Sequence, residues 1–165
     1  MNPVHYSSAS GEWETPQNLY DALDHTFHFT LDPCASQGNA KCAKFYTKEQ
    51  DGLEQSWAGE VVFMNPPYGR EIGKWVRKAF LEWKHNGVPV VLLLPARTDT
   101  TWFHECCIYA AAIHFIRGRL HFGGAKNGAP FPSMLVYFVP YGTGKLEHLL
   151  GRSVGIVCGN WVAGA

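Results

Sequence analysis

Val61-Val62-Phe63-Met64-Asn65-Pro66-Pro67-Tyr68-Gly69 is the stretch on which the reading of this chain turns. It opens with four apolar residues, two of them β-branched and one aromatic, which predicts a strand buried on both faces, as in parallel sheets. Two prolines then end the strand, fix φ, remove two backbone donors and hold the preceding residues extended. In open α/β sheets ligands bind beyond the carboxyl ends of strands. An amide, backbone carbonyls and an aromatic face gathered there can accept hydrogen bonds from an amino group while stacking on the flat ring that carries it. A strand closed by a simple proline turn has the same shape, so the neighbouring segments must separate the two readings.

Working outward toward the carboxyl end, Ile72, Trp75, Val76, Ala79, Phe80 and Trp83 recur at helical spacing, with Lys74, Arg77, Lys78 and Lys84 off the stripe. This predicts a helix over the sheet, ended by Asn86-Gly87. Val88 to Pro95 reads as a second buried strand, Ala96 to Thr101 as an edge loop and cap, Trp102 to Ala111 as a helix and Ala112 to Ile116 as a strand. Strands joined through helices run parallel, so the fold class is α/β with a mainly parallel sheet. Ser133 to Val139 is expected to add an antiparallel hairpin partner at one edge.

Toward the amino end, Phe27 to Leu31 alternates and runs into Asp32-Pro33-Cys34-Ala35-Ser36, a strand ending at a carboxylate. Asp32 is placed either to bind a ligand hydroxyl or ammonium or to form an Asp-Pro turn. Gln17 to Leu23 predicts a short amphipathic helix with Leu19, Tyr20 and Leu23 on one face, capped by Thr15, with Pro16 in its first turn and Trp13 as a core plug beside it. Gln37 to Lys48 reads as a short helix and strand carrying Lys41, Lys44 and Lys48. Asp51-Gly52-Leu53, 14 positions before Asn65, is either a common Asp-Gly turn or a second carboxylate at a strand end, able to accept from an exocyclic amine.

The 165 residues suit one domain, 1–165, with a loose arm over 1–12 and an extension over 140–165 that holds a short helix at Lys145 to Leu150 and a strand near Val154 to Val157. Lys+Arg and Asp+Glu both number 14, so no overall basic field draws in nucleic acid and any such binding needs a local patch. Arg117-Gly118-Arg119-Leu120-His121-Phe122 and the Gly-rich loop through Lys126 and Gly128 form the most basic stretch, which reads either as a contact to a phosphate backbone or as a solvated hairpin tip. The five cysteines, odd in number and without a Cys-x-x-Cys pair, predict reduced thiols in a cytoplasmic protein. The eight histidines are scattered without finger or His-Glu-x-x-His spacing, so no metal is expected. Neither a secretory leader nor a membrane-length apolar run is read.

Taken in order, Trp13-Glu14-Thr15-Pro16, Asp32-Pro33-Cys34-Ala35, Asp51-Gly52-Leu53, Asn65-Pro66-Pro67-Tyr68, Leu94-Pro95-Ala96 and Arg117 to Phe122 resemble the phage-type DNA N6-adenine methyltransferases over about residues 12 to 139. The resemblance implies a Rossmann-like, S-adenosylmethionine-dependent fold acting on double-stranded DNA in a bacterial cytoplasm, encoded by a phage or prophage. It implies that Asn65, Pro66, Pro67 and Tyr68 hold the amine to be methylated. It also implies cofactor contacts from Trp13, Thr15 and Pro16 at the methionine end, from Asp32, Pro33 and Ala35, from Asp51, Gly52 and Leu53 at the adenine ring, and from Asn65. Arg97, Arg117, Arg119 and Lys126 are then the candidates for DNA phosphates. Asn-Pro-Pro-Tyr also occurs in methyltransferases of RNA adenine and of protein glutamine amides, and a non-catalytic nucleic-acid-binding module with a degenerate pocket is a further alternative. Two departures stand out: no Gly-x-Gly loop follows the first strand, and only 19 positions separate Asp32 from Asp51. The cofactor half is therefore abbreviated, with Glu49 a weak substitute for the usual acidic contact to the ribose.

Overall fold

The computed structural model describes residues 13–140, 144, 148–149 and 156–159, the last four as backbone. Among them, seven strands form one sheet: β1 (Leu31–Asp32), β2 (Lys44–Phe45), β3 (Val62–Met64), β4 (Val90–Pro95), β5 (Ala112–Ile116), β6 (Ser133–Phe138) and β7 (Ile156–Gly159), in the order β2-β1-β3-β4-β6-β5-β7. β1, β2, β3 and β4 pair in parallel, as do β5 and β7. β6 alone runs against its neighbours β4 and β5.

Side-chain alternation explains why both faces are covered. Val62, Met64, Val90, Leu92 and Leu94 point to one face, where α2 (Ile72–Asn86) packs through Ile72, Trp75, Val76 and Ala79 and α3 (Thr101–Glu105) through Phe103. Phe63, Val91, Leu93, Leu135 and Tyr137 point to the other, where α1 (Gln17–Phe27) packs through Leu19, Tyr20, Leu23 and Phe27. Burial on both sides is what a continuous apolar strand requires. Gly87, in the left-handed conformation, ends α2 at the expected Asn86-Gly87.

Several boundaries differ from the expectations. The alternating run from Phe27 does not form a long strand, because Phe27 belongs to α1 and His28 turns left-handed (φ 56°). Asp24 holds this corner by accepting the His28 N–H on its carbonyl and the Phe29 N–H on Oδ1 at 2.7 Å. The helix foreseen from Trp102 to Ala111 stops at Glu105. Cys106 leaves helical geometry, Cys107–Tyr109 forms one 3-10 turn, Ala110 is already extended, and the Ala111 N–H donates to Tyr137 O. Gln37 to Lys48 holds a turn at 37–39, the two-residue β2 and the first residue of a second turn at Lys48, with no helix.

The hairpin expected at the sheet edge is corrected. β6 lies inside the sheet, paired from Val90↔Phe138 to Pro95↔Ser133 on one side and from Ala112↔Tyr137 to Phe115↔Met134 on the other. Its six residues are all buried, which an edge strand would not sustain. The expected arm 1–12 lies outside the described residues, as do residues 145–147 and 150 of the expected helix, in which His148 and Leu149 are helical. The last strand starts at Ile156 in the described residues, two positions into the expected Val154 to Val157.

Because six strands share a direction, residues after β1, β2, β3, β4 and β5 meet at one edge. β6 begins at that same edge, so both ends of the segment 117–132 lie there too. Among the described residues no helix is long and apolar enough to cross a membrane.

Candidate functional site

Asn65 follows β3 at this edge, with Pro66-Pro67 withholding two amide hydrogens from the turn. Its side-chain nitrogen donates to the Trp13 carbonyl and, at 2.9 Å, to Thr15 Oγ1. A carbonyl has only lone pairs to offer, so the end of the amide facing Trp13 has to be NH2. Oδ1 is thereby turned away; it is buried and has no hydrogen-bond partner among the described residues. Thr15 therefore does not cap α1, whose N-cap is Pro16 without a side-chain bond. The Cys34 thiol donates to the Asn65 backbone carbonyl at 3.4 Å.

Tyr68 donates its hydroxyl to Leu93 O at 3.3 Å and packs edge-on against Phe131 and Phe122, at ring separations of 5.5 and 6.3 Å. Trp13 meets the same two rings at 5.0 and 5.5 Å. These contacts bind the turn after β3, the segment before α1 and the segment 117–132 into one aromatic wall. Burial raises the Tyr68 phenol, and burial followed by the Asp32 charge raises the Cys34 thiol well above its ordinary range. Neither group is ionised near neutrality, so neither serves as a base there.

Another part of the lining comes from the segments that follow β1 and β2. Asp32 is 6% exposed, and its two oxygens accept the backbone N–H groups of Cys34 and Lys41 at 3.4 and 3.2 Å. Burial nevertheless outweighs those bonds and the Lys41 charge, and pushes the carboxyl up to about 6. Lys41 in turn donates to Gln17 Oε1 at 2.9 Å and lies 3.8 Å from Glu14. Asp51 adopts a left-handed φ of 48° and accepts the Leu53 N–H on Oδ1 at 3.1 Å. Gly52 is pressed so closely onto β1's exit that a Cβ would sit 1.9 Å from Pro33 O, and the buried Trp57 indole donates to Gly52 O at 2.9 Å.

The cavity so lined measures about 940 Å3, at the upper end of the roughly 300–1,000 Å3 of small-molecule pockets. Trp13, Thr15, Asp32, Pro33, Ala35, Asp51, Gly52, Leu53, Asn65, Pro66, Pro67 and Tyr68 all line it, as does Glu49. Pro16 lines an adjoining recess with Gln17, Lys41 and Gly123. Arg97, Arg117, Arg119 and Lys126 are exposed and lie outside the cavity lining. Arg97 follows β4 and Arg117 follows β5, so chain direction brings them to the edge that carries Asn65. The segment 117–132 is anchored by Gly123 N–H to Glu14 O, by Ala129 N–H to Leu120 O, and by Gly128, where a Cβ would meet Arg119 Cβ at 2.6 Å.

The sequence reading missed the roles of Lys41, Trp57, Phe122 and Phe131. Phe122 lies within the Arg117 to Phe122 motif and was legible as part of it; the others depend on loop paths that periodicity does not encode. Cys34, Cys42, Cys106 and Cys107 are free, and no cluster of three metal-ligating side chains occurs among the described residues. Chemically, the arrangement offers a fixed, unpaired acceptor and an aromatic wall at a cavity that two carboxylates also line.

A family model described as DNA N-6-adenine-methyltransferase (Dam) matches residues 5–146. A DNA N-6-adenine-methyltransferase of Haemophilus phage HP1 (strain HP1c1) is 33% identical over 148 residues, covering 83% of this chain and 85% of the relative. A protein of the same description from Escherichia phage T1 is 36% identical over 110 residues, 66% of this chain and 45% of its own length. The putative methyltransferase YfdM of Escherichia coli (strain K12) is 35% identical over 74 residues, 40% of this chain and 81% of its own length.

Proposed function

The chain belongs to the DNA N-6-adenine-methyltransferase (Dam) family, and from that membership we propose that it methylates the N6 amine of adenine in double-stranded DNA, with S-adenosylmethionine as the donor. In this reading residues 1–165 act as one Rossmann-like methyltransferase domain in the cytoplasm of a bacterial host. The observation that carries it is the buried, unpaired Oδ1 of Asn65, on a residue that lines the same cavity as Asp32 and Asp51. An orphaned acceptor is costly in a folded protein, and an amino group is the ligand chemistry that satisfies it.

The residues present fit the donor. Asp32, a carboxylate held at about 6 by burial, gains most from a cationic partner. Asp51 keeps one carboxylate oxygen clear of its turn bond to Leu53 and lines the cavity, suited to an exocyclic amine. Pro33, Ala35, Gly52 and Leu53 supply apolar and backbone surface for a flat ring, and Trp13, Thr15 and Pro16 stand at the other end. When bound, S-adenosylmethionine supplies an electrophilic methyl group on a positively charged sulfur.

The adenine amine is a poor nucleophile because its lone pair is conjugated into the ring. Asn65 Oδ1 and the Pro66 carbonyl accept its two hydrogens, which draws the nitrogen toward tetrahedral geometry and frees the lone pair. Alignment and electrostatic support of the developing positive nitrogen then supply most of the rate. No strong base is required, in keeping with the raised Tyr68 and Cys34, since the proton leaves after transfer. A base inside a duplex does not reach such a pocket, so adenine is flipped out and stacks on Tyr68. Stacking is worth roughly 1–3 kcal/mol per base, against a few kcal/mol lost on unstacking. Phosphate contacts from Arg97, Arg117, Arg119 and Lys126 make up the balance.

Mapping of methylated adenines in DNA from cells expressing this chain, beside an Asn65→Ala variant, tests the reading. Adenine methylation is expected with the parent chain and a loss of about a thousandfold in Asn65→Ala, whose donor binding stays near normal by calorimetry. A fully active Asn65→Ala enzyme, or methyl transfer confined to RNA or protein, would sink it. Tyr68→Ala is expected to weaken engagement of DNA by roughly 1–3 kcal/mol, while Tyr68→Phe, which keeps the ring, has a mild effect.

A further inference from the structure

Thr15 is buried, 4% exposed, yet α1 takes no side-chain cap from it. Its hydroxyl accepts one hydrogen of the Asn65 amide at 2.9 Å, and the Trp13 carbonyl accepts the other. With both hydrogens committed, Oδ1 is the end left unpaired. A flipped amide would satisfy that oxygen through the Thr15 hydroxyl, but only by pressing it toward the Trp13 carbonyl, where two acceptors would face each other. The main-chain carbonyl thus forbids the orientation that would remove the orphan.

We propose that Trp13 and Thr15 act as a positioning clamp that requires an amide at position 65 and dictates which end of it meets the acceptor amine. The clamp rests on the reading of Asn65 as the amine's acceptor. It makes an isosteric carboxylate a poor replacement. An ionised Asn65→Asp side chain would set a charged oxygen against the Trp13 carbonyl, whereas its protonated form can donate there and turn a carbonyl oxygen to the cavity.

The test uses the full chain. Thr15→Val, isosteric but without the acceptor, is expected to lower kcat for methyl transfer to duplex DNA about tenfold. KM for DNA is expected to stay within about threefold, and Thr15→Ser to recover most of the loss. In protein labelled with 15N-asparagine, the Asn65 side-chain signals, identified by their loss in Asn65→Ala, should shift and exchange faster in Thr15→Val with no donor or DNA present. The activity of Asn65→Asp relative to the parent should rise as pH falls from about 8.5 to about 6. Asp32, Cys34, Tyr68, Glu14, Lys41, Lys48, Glu49, Asp51, Arg70 and Glu71 also line the cavity and are common to both proteins, so their influence largely cancels in that ratio.

Unchanged kcat in Thr15→Val together with unmoved Asn65 signals would overturn the clamp, as would a flat pH ratio for Asn65→Asp. Should Thr15→Val fail to fold, the protection of the Asn65 amide in the parent and the Asn65→Asp ratio still decide. A parent chain that transfers no methyl group to DNA would overturn the proposed function instead, and the labelled-amide measurement would continue to test the clamp.

Discussion

The irregular segment between β1 and β3, which lines the cavity, and the segment 117–132, which lies outside its lining, are joined to the rest of the site by different kinds of contact. The one between β1 and β3 is fastened by directed contacts: Asp32 oxygens on two backbone amides, the Trp57 indole on Gly52 O, and Gly52 against Pro33 O with no room for a side chain. The segment 117–132 is joined to the turn at Tyr68 mainly by ring packing through Phe122 and Phe131, and it leaves Arg117, Arg119 and Lys126 in solvent. Hydrogen bonds fail steeply with misplacement, whereas ring contacts tolerate small shifts. The first segment is therefore built to keep a small ligand's outline, and the second to present charge on an adjustable surface.

Gly52→Ala should break the first segment hardest. The new methyl meets a backbone oxygen that cannot swing aside, so a cost of roughly 3 kcal/mol or more is expected. Donor affinity should fall with it while nonspecific DNA binding persists; denaturant unfolding and calorimetry read both. A Gly52→Ala protein with parental stability and donor binding would dissolve the contrast.

Asp32 sharpens the same contrast through pH. Its folded carboxyl titrates at about 6 against an ordinary 3.8, so between those values the folded state holds more proton than the unfolded one. Stability should therefore fall as pH rises through about 4 to 6 and level off above, by up to about 3 kcal/mol. Asp32→Asn should flatten that dependence. At neutral pH it should be more stable by about 2 kcal/mol, one mispaired backbone amide taking back about 1, while it loses donor affinity. A stability profile identical to the parent's across this range would show that the burial of Asp32 is offset elsewhere.

The second segment should show smaller, graded effects. Arg117→Ala and Arg119→Ala are each expected to lower DNA affinity without changing donor binding, and each to reduce the slope of log affinity against log salt by about 1. Unchanged slopes would remove these residues from the phosphate contacts and leave the segment a solvated tip.

What the sequence made legible follows the same division. The strands at Val62 and Val90 are continuous apolar runs, the one at Ala112 is broken only by His114, and α2 is an amphipathic stripe, so local pattern and burial agree there. Residues forming the cavity's polar wall were also found, because a carboxylate or amide just past a strand end is visible in one dimension. What was not legible depends on partners distant in sequence. Thr15 looked like a helix cap because it precedes Pro16, but its hydroxyl is taken by Asn65, 50 positions away. The place of β6 inside the sheet is decided by pairing with both β4 and β5, which a strand's own composition does not specify. Phe27 was misplaced because an apolar residue at a helix end and one at a strand start read alike.

The reversed strand β6 has an evolutionary consequence. With β5 leaving the sheet and β6 entering it at the same edge, the chain between them is a detour that returns to its starting side. Residues can be added to or exchanged in that detour without shifting a single register in the sheet, much as loops on rigid scaffolds vary while the scaffold persists. The surface facing outward from Asn65 is therefore free to diversify, and the chemistry beneath it can stay as it is.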